Sequence, residues 1–191
     1  MLVLGIYGSP RKQGNTDLMM DAFLEGAASG GVEIKRLYVR DMEMQGCLEC
    51  GHCDKEGICF LKDDMAHVTS LLEEADRIVV ASPIFFYGVT GQLKLVIDRA
   101  QAPYMKRELA KKGGKGAPEQ APRKGFLLSA GATKGKRLFE CAILAVRYFF
   151  DALGVSYEGD LCFSKIEEKG AINLHPDALE QCRRAGAAFV K

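Results

Sequence analysis

The chain has almost no net charge. Its 191 residues carry 26 basic and 25 acidic side chains, a formal +1, which removes the electrostatic case for binding nucleic acid or an anionic membrane surface. No apolar run is long enough to span a bilayer. The opening Met1–Gly8 is apolar but too short for a signal-peptide core, and it lacks a basic leader. A soluble, cytoplasmic protein is the expectation. There is no internal repeat and no low-complexity tract. Two nucleotide signatures are missing as well. The first glycine-containing loop does not end in Gly-Lys-Ser/Thr, so nucleoside triphosphate hydrolysis is disfavoured, and it does not read Gly-x-Gly-x-x-Gly. No separate nicotinamide-binding unit follows.

What is present is one domain's worth of alternating patterns. With 48% apolar and 27% charged residues, the chain is globular and long enough to bury a substantial core. Apolar runs at 2–7, 32–39, 77–82, 125–129 and 155–162 read as five strands. Helical periodicity or capping marks helices at Asn15–Ser29, from Asp63 or Asp64 through Leu72, near Thr90–Ala100, at Lys136–Leu153 and from Pro176 toward Val190. Strands alternating with helices predict an α/β, doubly wound, five-stranded parallel sheet over residues 1–191, with its site in the loops at the carboxyl ends of the strands. Residues 102–124 are proline- and glycine-rich and basic, with weak periodicity, and read as an excursion. Lys106-Arg107 and Lys111-Lys112 read as a solvated face.

Three loops stand out. Gly8-Ser9-Pro10-Arg11-Lys12-Gln13-Gly14-Asn15-Thr16 joins the first strand to the first helix. Its hydroxyl and amide donors, the Arg11 cation and the open N–H groups of a helix start suit an anion such as a phosphate. Ser82-Pro83-Ile84-Phe85-Phe86-Tyr87-Gly88-Val89-Thr90 follows the third strand, and its three consecutive aromatics suit a planar ring, with Gly88 able to bring its N–H close. Ser129-Ala130-Gly131 and the small residues after it follow the fourth strand. Together these loops fit a phosphate at one end and a flat heterocycle at the other, the layout of flavin mononucleotide (FMN).

Cysteine is concentrated. Four of the seven fall in thirteen residues, Cys47, Cys50, Cys53 and Cys59, spaced C-x2-C-x2-C-x5-C with Gly46, Gly51 and Gly57 among them. In a reducing compartment such a cluster points to metal or redox chemistry before structural disulfides. An iron–sulfur cluster, zinc, a disulfide pair and unligated thiols all stay open on the residues alone. His52 reads as solvated, Cys141, Cys162 and Cys182 as small buried apolar residues, His67 and His175 as ordinary helix-terminal residues, and Asp63-Asp64 as a helix cap.

The three loops, with Gly91-Gln92-Leu93-Lys94 and Asp98-Arg99, resemble the flavodoxin-fold NAD(P)H-dependent FMN reductase superfamily, and the cysteine motif resembles its iron–sulfur flavoprotein branch. The resemblance implies strand order 2-1-3-4-5. It implies FMN phosphate held by Ser9, Arg11, Asn15 and Thr16. It places the isoalloxazine against Pro83, Ile84, Phe85, Phe86, Tyr87 and Gly88 and against Ser129, Ala130 and Gly131. Cys47, Cys50, Cys53 and Cys59 become ligands of a [4Fe–4S] cluster. A homodimer or tetramer is implied, with NAD(P)H or ferredoxin as donor and a small-molecule acceptor. Chemistry would reside on the flavin, with no side chain as general acid or base. Two other readings are a cluster-free FMN or quinone reductase and a flavodoxin-like electron carrier.

Overall fold

The computed structural model describes residues 1–113 and 122–191. Five strands, β1 (Leu2–Tyr7), β2 (Glu33–Tyr38), β3 (Arg77–Pro83), β4 (Lys124–Gly131) and β5 (Ser156–Ser164), form one sheet in the order β2-β1-β3-β4-β5. Every pairing is parallel. The expected doubly wound architecture is therefore observed, with the order reversing between β1 and β3.

The helices are α1 (Asn15–Ala28), α2 (His52–Glu56), α3 (Met65–Glu74), α4 (Gly91–Arg99), α5 (Gln101–Lys112), α6 (Glu140–Leu153) and α7 (Ala178–Phe189). Parallel strands are joined by crossovers that leave both sheet faces covered. One face buries Leu4, Ile6, Ile78, Val80 and Leu127 against α3, α4 and α6. The other buries Val3, Val79 and Leu128 against α1 and α7. This is why the central strands read as unbroken apolar runs. The helix α1 is covered twice, by the sheet and by α7, and so buries Met20 and Leu24 as well as Met19 and Phe23.

The α1–α7 crossing is set by two glycines. A Cβ on Gly26 would lie 2.0 Å from the Arg183 carbonyl oxygen, and one on Gly186 would lie 1.9 Å from that of Phe23. Neither carbonyl can yield without moving its helix. Gly186→Ala is therefore expected to destabilise the protein by about 1–3 kcal/mol or more, despite alanine's better helix propensity. A chemical denaturation curve with an unchanged midpoint would contradict that packing.

Two sequence expectations need correction. The excursion at 102–124 begins with helix α5, in which Pro103 occupies the first turn, where its missing N–H costs nothing. Periodicity was weak there because Ala102 and Pro103 alone are buried. The remainder, at 114–121, lies outside the described residues. Arg107 is also no solvated cation. Its Nη1 donates to the carbonyls of Asp151 (3.1 Å) and Ala152 (2.8 Å) at the C-terminus of α6, where cations complement the helix dipole.

Candidate functional site

The loops after β1, β3 and β4 converge on a cavity of about 260 Å3, lined by Ser9, Arg11, Asn15, Thr16, Pro83, Ile84, Phe85, Ala130 and Gly131, with Ile166 and Glu167 closing one side. Nine of the thirteen residues expected to hold flavin thus line one cavity. The polar end is built by α1. Gly14 precedes its first turn in an extended conformation, so the first-turn N–H groups lack intrahelical acceptors. Thr16 is 1% exposed, and its Oγ1 has no hydrogen-bond partner. A buried hydroxyl without a partner beside open N–H groups is what a bound anion would complete. Arg11 is exposed at the rim. Asn15 is committed elsewhere: its Nδ2 donates to the Glu168 carbonyl (2.9 Å) and its Oδ1 accepts from the Ile172 N–H (3.2 Å). It ties the loop after β5 to the cradle, leaving its backbone N–H for a ligand.

Two residues that sequence reasoning missed hold this cradle. Arg40 Nη1 donates to the Ser9 carbonyl (3.1 Å) and lies 3.0 Å from Asp17 Oδ2. Asp17, buried in the first turn of α1, also accepts from the Gln13 N–H (3.0 Å). Burial pushes the Asp17 carboxyl up, and Arg40 opposes that. Arg40 thus neutralises the acidic residue at the cradle.

At the other end, Thr90 fastens the loops together. Its Oγ1 donates to the Gly8 carbonyl and accepts from the Leu93 N–H (3.2 Å), capping α4, while its own N–H donates to Ser82 Oγ (3.2 Å). Ser129 is fully buried and donates to the Ser82 carbonyl (2.8 Å). It braces the site from behind and does not line the cavity. Phe85 and Gly88 exchange both backbone hydrogen bonds, 3.0 and 2.9 Å, so the Gly88 N–H is used within the turn. Between them Phe86 (φ 46°) and Tyr87 (φ 64°) occupy the left-handed region, which costs an aromatic residue on the order of 1–3 kcal/mol each. Both stand outside the cavity, and Phe86 is fully exposed. This tight turn adds nothing to the core. Replacing Phe86-Tyr87 by Asn-Gly is accordingly expected to raise the melting temperature, since that pair favours left-handed turns; a drop on thermal unfolding would contradict the strain.

The cysteine loop lies across the α4–α5 junction. Cys47, Cys50, Cys53 and Cys59 all line one cavity of about 520 Å3, which Asp98 and Gln101 close from below. Gly51 (φ 70°) and Gly57 (φ 68°) flank the single-turn helix α2 that carries Cys53, and a side chain at Gly57 would strike the Lys106 backbone at 2.9 Å. All four thiols are free. Burial, then the neighbouring Asp54, pushes the Cys53 thiol up. Among the described residues no three His, Cys, Asp or Glu side chains converge closely enough to hold a single metal ion. The four thiols open on that shared cavity without meeting at one point.

This loop is clamped at both ends by one buried ion pair. Arg99, 2% exposed, donates from Nη1 to Asp63 Oδ2 (2.8 Å) and to the Gln45 carbonyl (2.8 Å), and from Nη2 to Asp63 Oδ1 (3.1 Å). Asp63 in turn accepts from the N–H groups of Gln45 (3.0 Å) and Met65 (3.1 Å). It caps α3 as expected, and it also joins the two stems of the loop. Asp64 accepts from the Glu43 N–H (2.8 Å). The Arg99 guanidinium holds the Asp63 carboxyl below its ordinary range. Of the other singled-out residues, His52 packs edge-on to Phe60 (5.7 Å) and His175 to Phe163 (5.0 Å). Cys182 is buried, and its thiol is pushed up to about 12 by burial. Cys162 is half-buried, whereas Cys141 is exposed. Cys141 is not inward: it lies about 100° round α6 from the buried Ala142 and shares the exposed side with Leu144 and Tyr148.

The sheet order, with the first-loop cradle and the apolar residues opposite it, defines a flavodoxin-like domain. Residues 1–138 match the NADPH-dependent FMN reductase family, and the chain belongs to it. It is similar to iron–sulfur flavoproteins, among them one from Methanocaldococcus jannaschii, 37% identical over 65% of this chain and 65% of that protein. Another, from Archaeoglobus fulgidus, is 39% identical over 58% of this chain and 50% of that protein. The match therefore spans between half and two thirds of these relatives' lengths. The fold also superposes on an NAD(P)H:quinone oxidoreductase from Methanothermobacter marburgensis with a TM-score of 0.75, at 16% identity, over all of this chain and 96% of that one. Among the described residues no helix is long and apolar enough to cross a membrane.

Proposed function

We propose that the protein is an FMN-dependent oxidoreductase carrying a [4Fe–4S] cluster, taking electrons from NAD(P)H or ferredoxin. The observation that carries this is the presence of two donor sets in one domain: the cradle with its unpartnered Thr16 Oγ1 and the cavity onto which four cysteines open. Ser9, Arg11, Asn15 and Thr16 would hold the FMN phosphate, with Pro83–Phe85 and Ala130–Gly131 along the ring. Cys47, Cys50, Cys53 and Cys59 would ligate the cluster. When bound, these groups supply two-electron and one-electron chemistry respectively. The chain's own residues orient them. Arg40 neutralises Asp17 beneath the phosphate, Thr90 locks the first loop to α4, and Arg99 with Asp63 closes the cysteine loop.

No residue lines both cavities. Electron passage between them is therefore proposed to run between two copies of the chain, which would cover the exposed Phe86 and Phe60. Sedimentation equilibrium should then show an oligomer that Phe86→Glu weakens.

Thr16→Val supplies a test of the cradle. The apo-protein loses no hydrogen bond, so its stability should not fall. FMN should bind about 1.5–3 kcal/mol more weakly, on the order of ten- to a hundredfold in Kd. Equal FMN affinity by fluorescence titration would remove the phosphate from this end of the cavity.

The lack of a three-ligand convergence favours a second reading, a cluster-free NAD(P)H-dependent reductase. Anaerobic titration tests the donor. Bleaching of the flavin by NAD(P)H supports the reductase, whereas bleaching by reduced ferredoxin alone makes the protein an electron carrier.

A further inference from the structure

The loop from β5 to α7 is the side of the flavin cavity that no motif in the sequence marked. Ile166 and Glu167 line that cavity beside Gly131 and Ala132. A left-handed Lys165 (φ 62°) turns the chain off the strand into this wall. That conformation costs a non-glycine residue free energy and persists only where its surroundings hold it. The loop has two anchors of its own. The Ile166 N–H donates to the Gly131 carbonyl (3.0 Å), and Ile172 is fully buried in the core beside α1 and α7.

Asn15 supplies the rest. Its Nδ2 donates to the Glu168 carbonyl (2.9 Å), between the two anchors, and its Oδ1 accepts from the Ile172 N–H (3.2 Å). These two partners fix the way the amide faces. Turned over, it would set a donor against an N–H and an acceptor against a carbonyl. The side chain makes no cap to its own helix.

We propose that the Asn15 side chain is a positioning residue: it holds the loop after β5 in place as a wall against the part of the flavin beyond the phosphate, and it does not grip the phosphate. This rests on the FMN reading of the cavity, in which the Asn15 main-chain N–H is left for the phosphate.

The argument is one of committed groups and of populations. Swinging the amide to a phosphate would strand the part-buried Ile172 N–H, at a cost comparable with what the new contact returns. Thr16 is the opposite case, since its Oγ1 has no partner to give up. The wall meets the cavity at Gly131, on the side assigned to the ring. A ligand that needs a placed wall binds with an affinity scaled by the fraction of molecules in which the wall is in place. Untying the wall therefore weakens every ligand that touches it by one factor, with or without a phosphate.

The test is fluorescence titration of the full apo chain with FMN and with riboflavin, which lacks the phosphate, in wild-type, Thr16→Val, Asn15→Ala and Asn15→Asp forms. Amide hydrogen exchange is followed with and without FMN. Asn15→Ala is expected to weaken both flavins by the same factor, on the order of tenfold, whereas Thr16→Val weakens FMN alone. Saturating FMN should slow exchange across residues 165–173 in wild type, and Asn15→Ala should speed it in the apo chain with α1 unchanged. Weaker FMN binding with riboflavin unchanged in Asn15→Ala overturns the proposal, because the side chain then serves the phosphate. Unchanged affinity for both flavins overturns it, as does 165–173 exchange that is indifferent to FMN. Asn15→Asp keeps an acceptor for Ile172 and a charge suited to a helix start, and it loses the donor to Glu168. If Asn15→Ala does not fold, riboflavin binding to Asn15→Asp decides: a fall supports the proposal and no fall overturns it. If wild type binds FMN and riboflavin too weakly to titrate, the two exchange results decide in the same way. Wild-type protein that binds neither flavin would instead defeat the FMN reading on which the proposal rests.

Discussion

Asp63→Ala is expected to lower the unfolding free energy by about 3–5 kcal/mol, the usual cost of leaving one partner of a buried ion pair uncompensated. In a chain of this size that is a fall of roughly 6–20 °C in melting temperature. The side chains of Arg99 and Asp63 are 1% and 8% exposed, so solvent cannot take the carboxylate's place. Asp63 also accepts from Gln45 and Met65, and its removal strands those N–H groups. The sign with pH follows from the depressed Asp63 carboxyl. A group whose folded-state value is lowered stabilises the fold above its unfolded value, near pH 4, and loses that contribution as pH falls through the folded value. The difference between wild type and Asp63→Ala should therefore be constant from about pH 8 to 5 and shrink in stronger acid. Denaturation curves at three pH values check both the size and the sign; a difference that grows in acid would rule out this ion pair as the source.

Cys47→Ala and Cys50→Ala, singly or together, are expected to abolish stable iron binding while leaving FMN bound. Both residues are exposed, so their loss should change apo-protein stability by no more than about 0.5 kcal/mol. The iron loss and the unchanged fold are a paired result. Unfolding together with iron loss would mean that the loop is structural; retained iron would mean that other residues ligate it. On the proposed reading, loss of the cluster should also spare the flavin, since no residue lines both cavities.

The strands and the first loop's place at the cavity were legible in the sequence because each is carried by a local run. The run at 2–7 and the loop from Gly8 to Thr16 carry their whole message in fifteen residues, and the structure turns that loop into one wall of a cavity. Partnerships across the chain were not legible. Arg40 reaches Asp17 from 23 residues away, and Arg99 reaches Asp63 from 36; nothing in local pattern distinguishes these charges from solvated ones. The aromatic loop was half right. Phe85 lines the cavity, but the tight turn that pairs it with Gly88 throws Phe86 and Tyr87 outward. Left-handed backbone at two aromatics runs against their ordinary preference, so sequence favours the opposite reading. Cys141 was misplaced by one position on the helix, because the buried face of α6 runs through Ala142 and Val146 and its neighbour points outward.

The most direct test of the account is anaerobic analysis of the purified protein for iron, acid-labile sulfide and flavin together. The account predicts FMN with iron and sulfide in equal amounts, both lost when the four cysteines are replaced. FMN alone, with neither iron nor sulfide after anaerobic reconstitution, would contradict it and leave a cluster-free flavin reductase with four idle thiols.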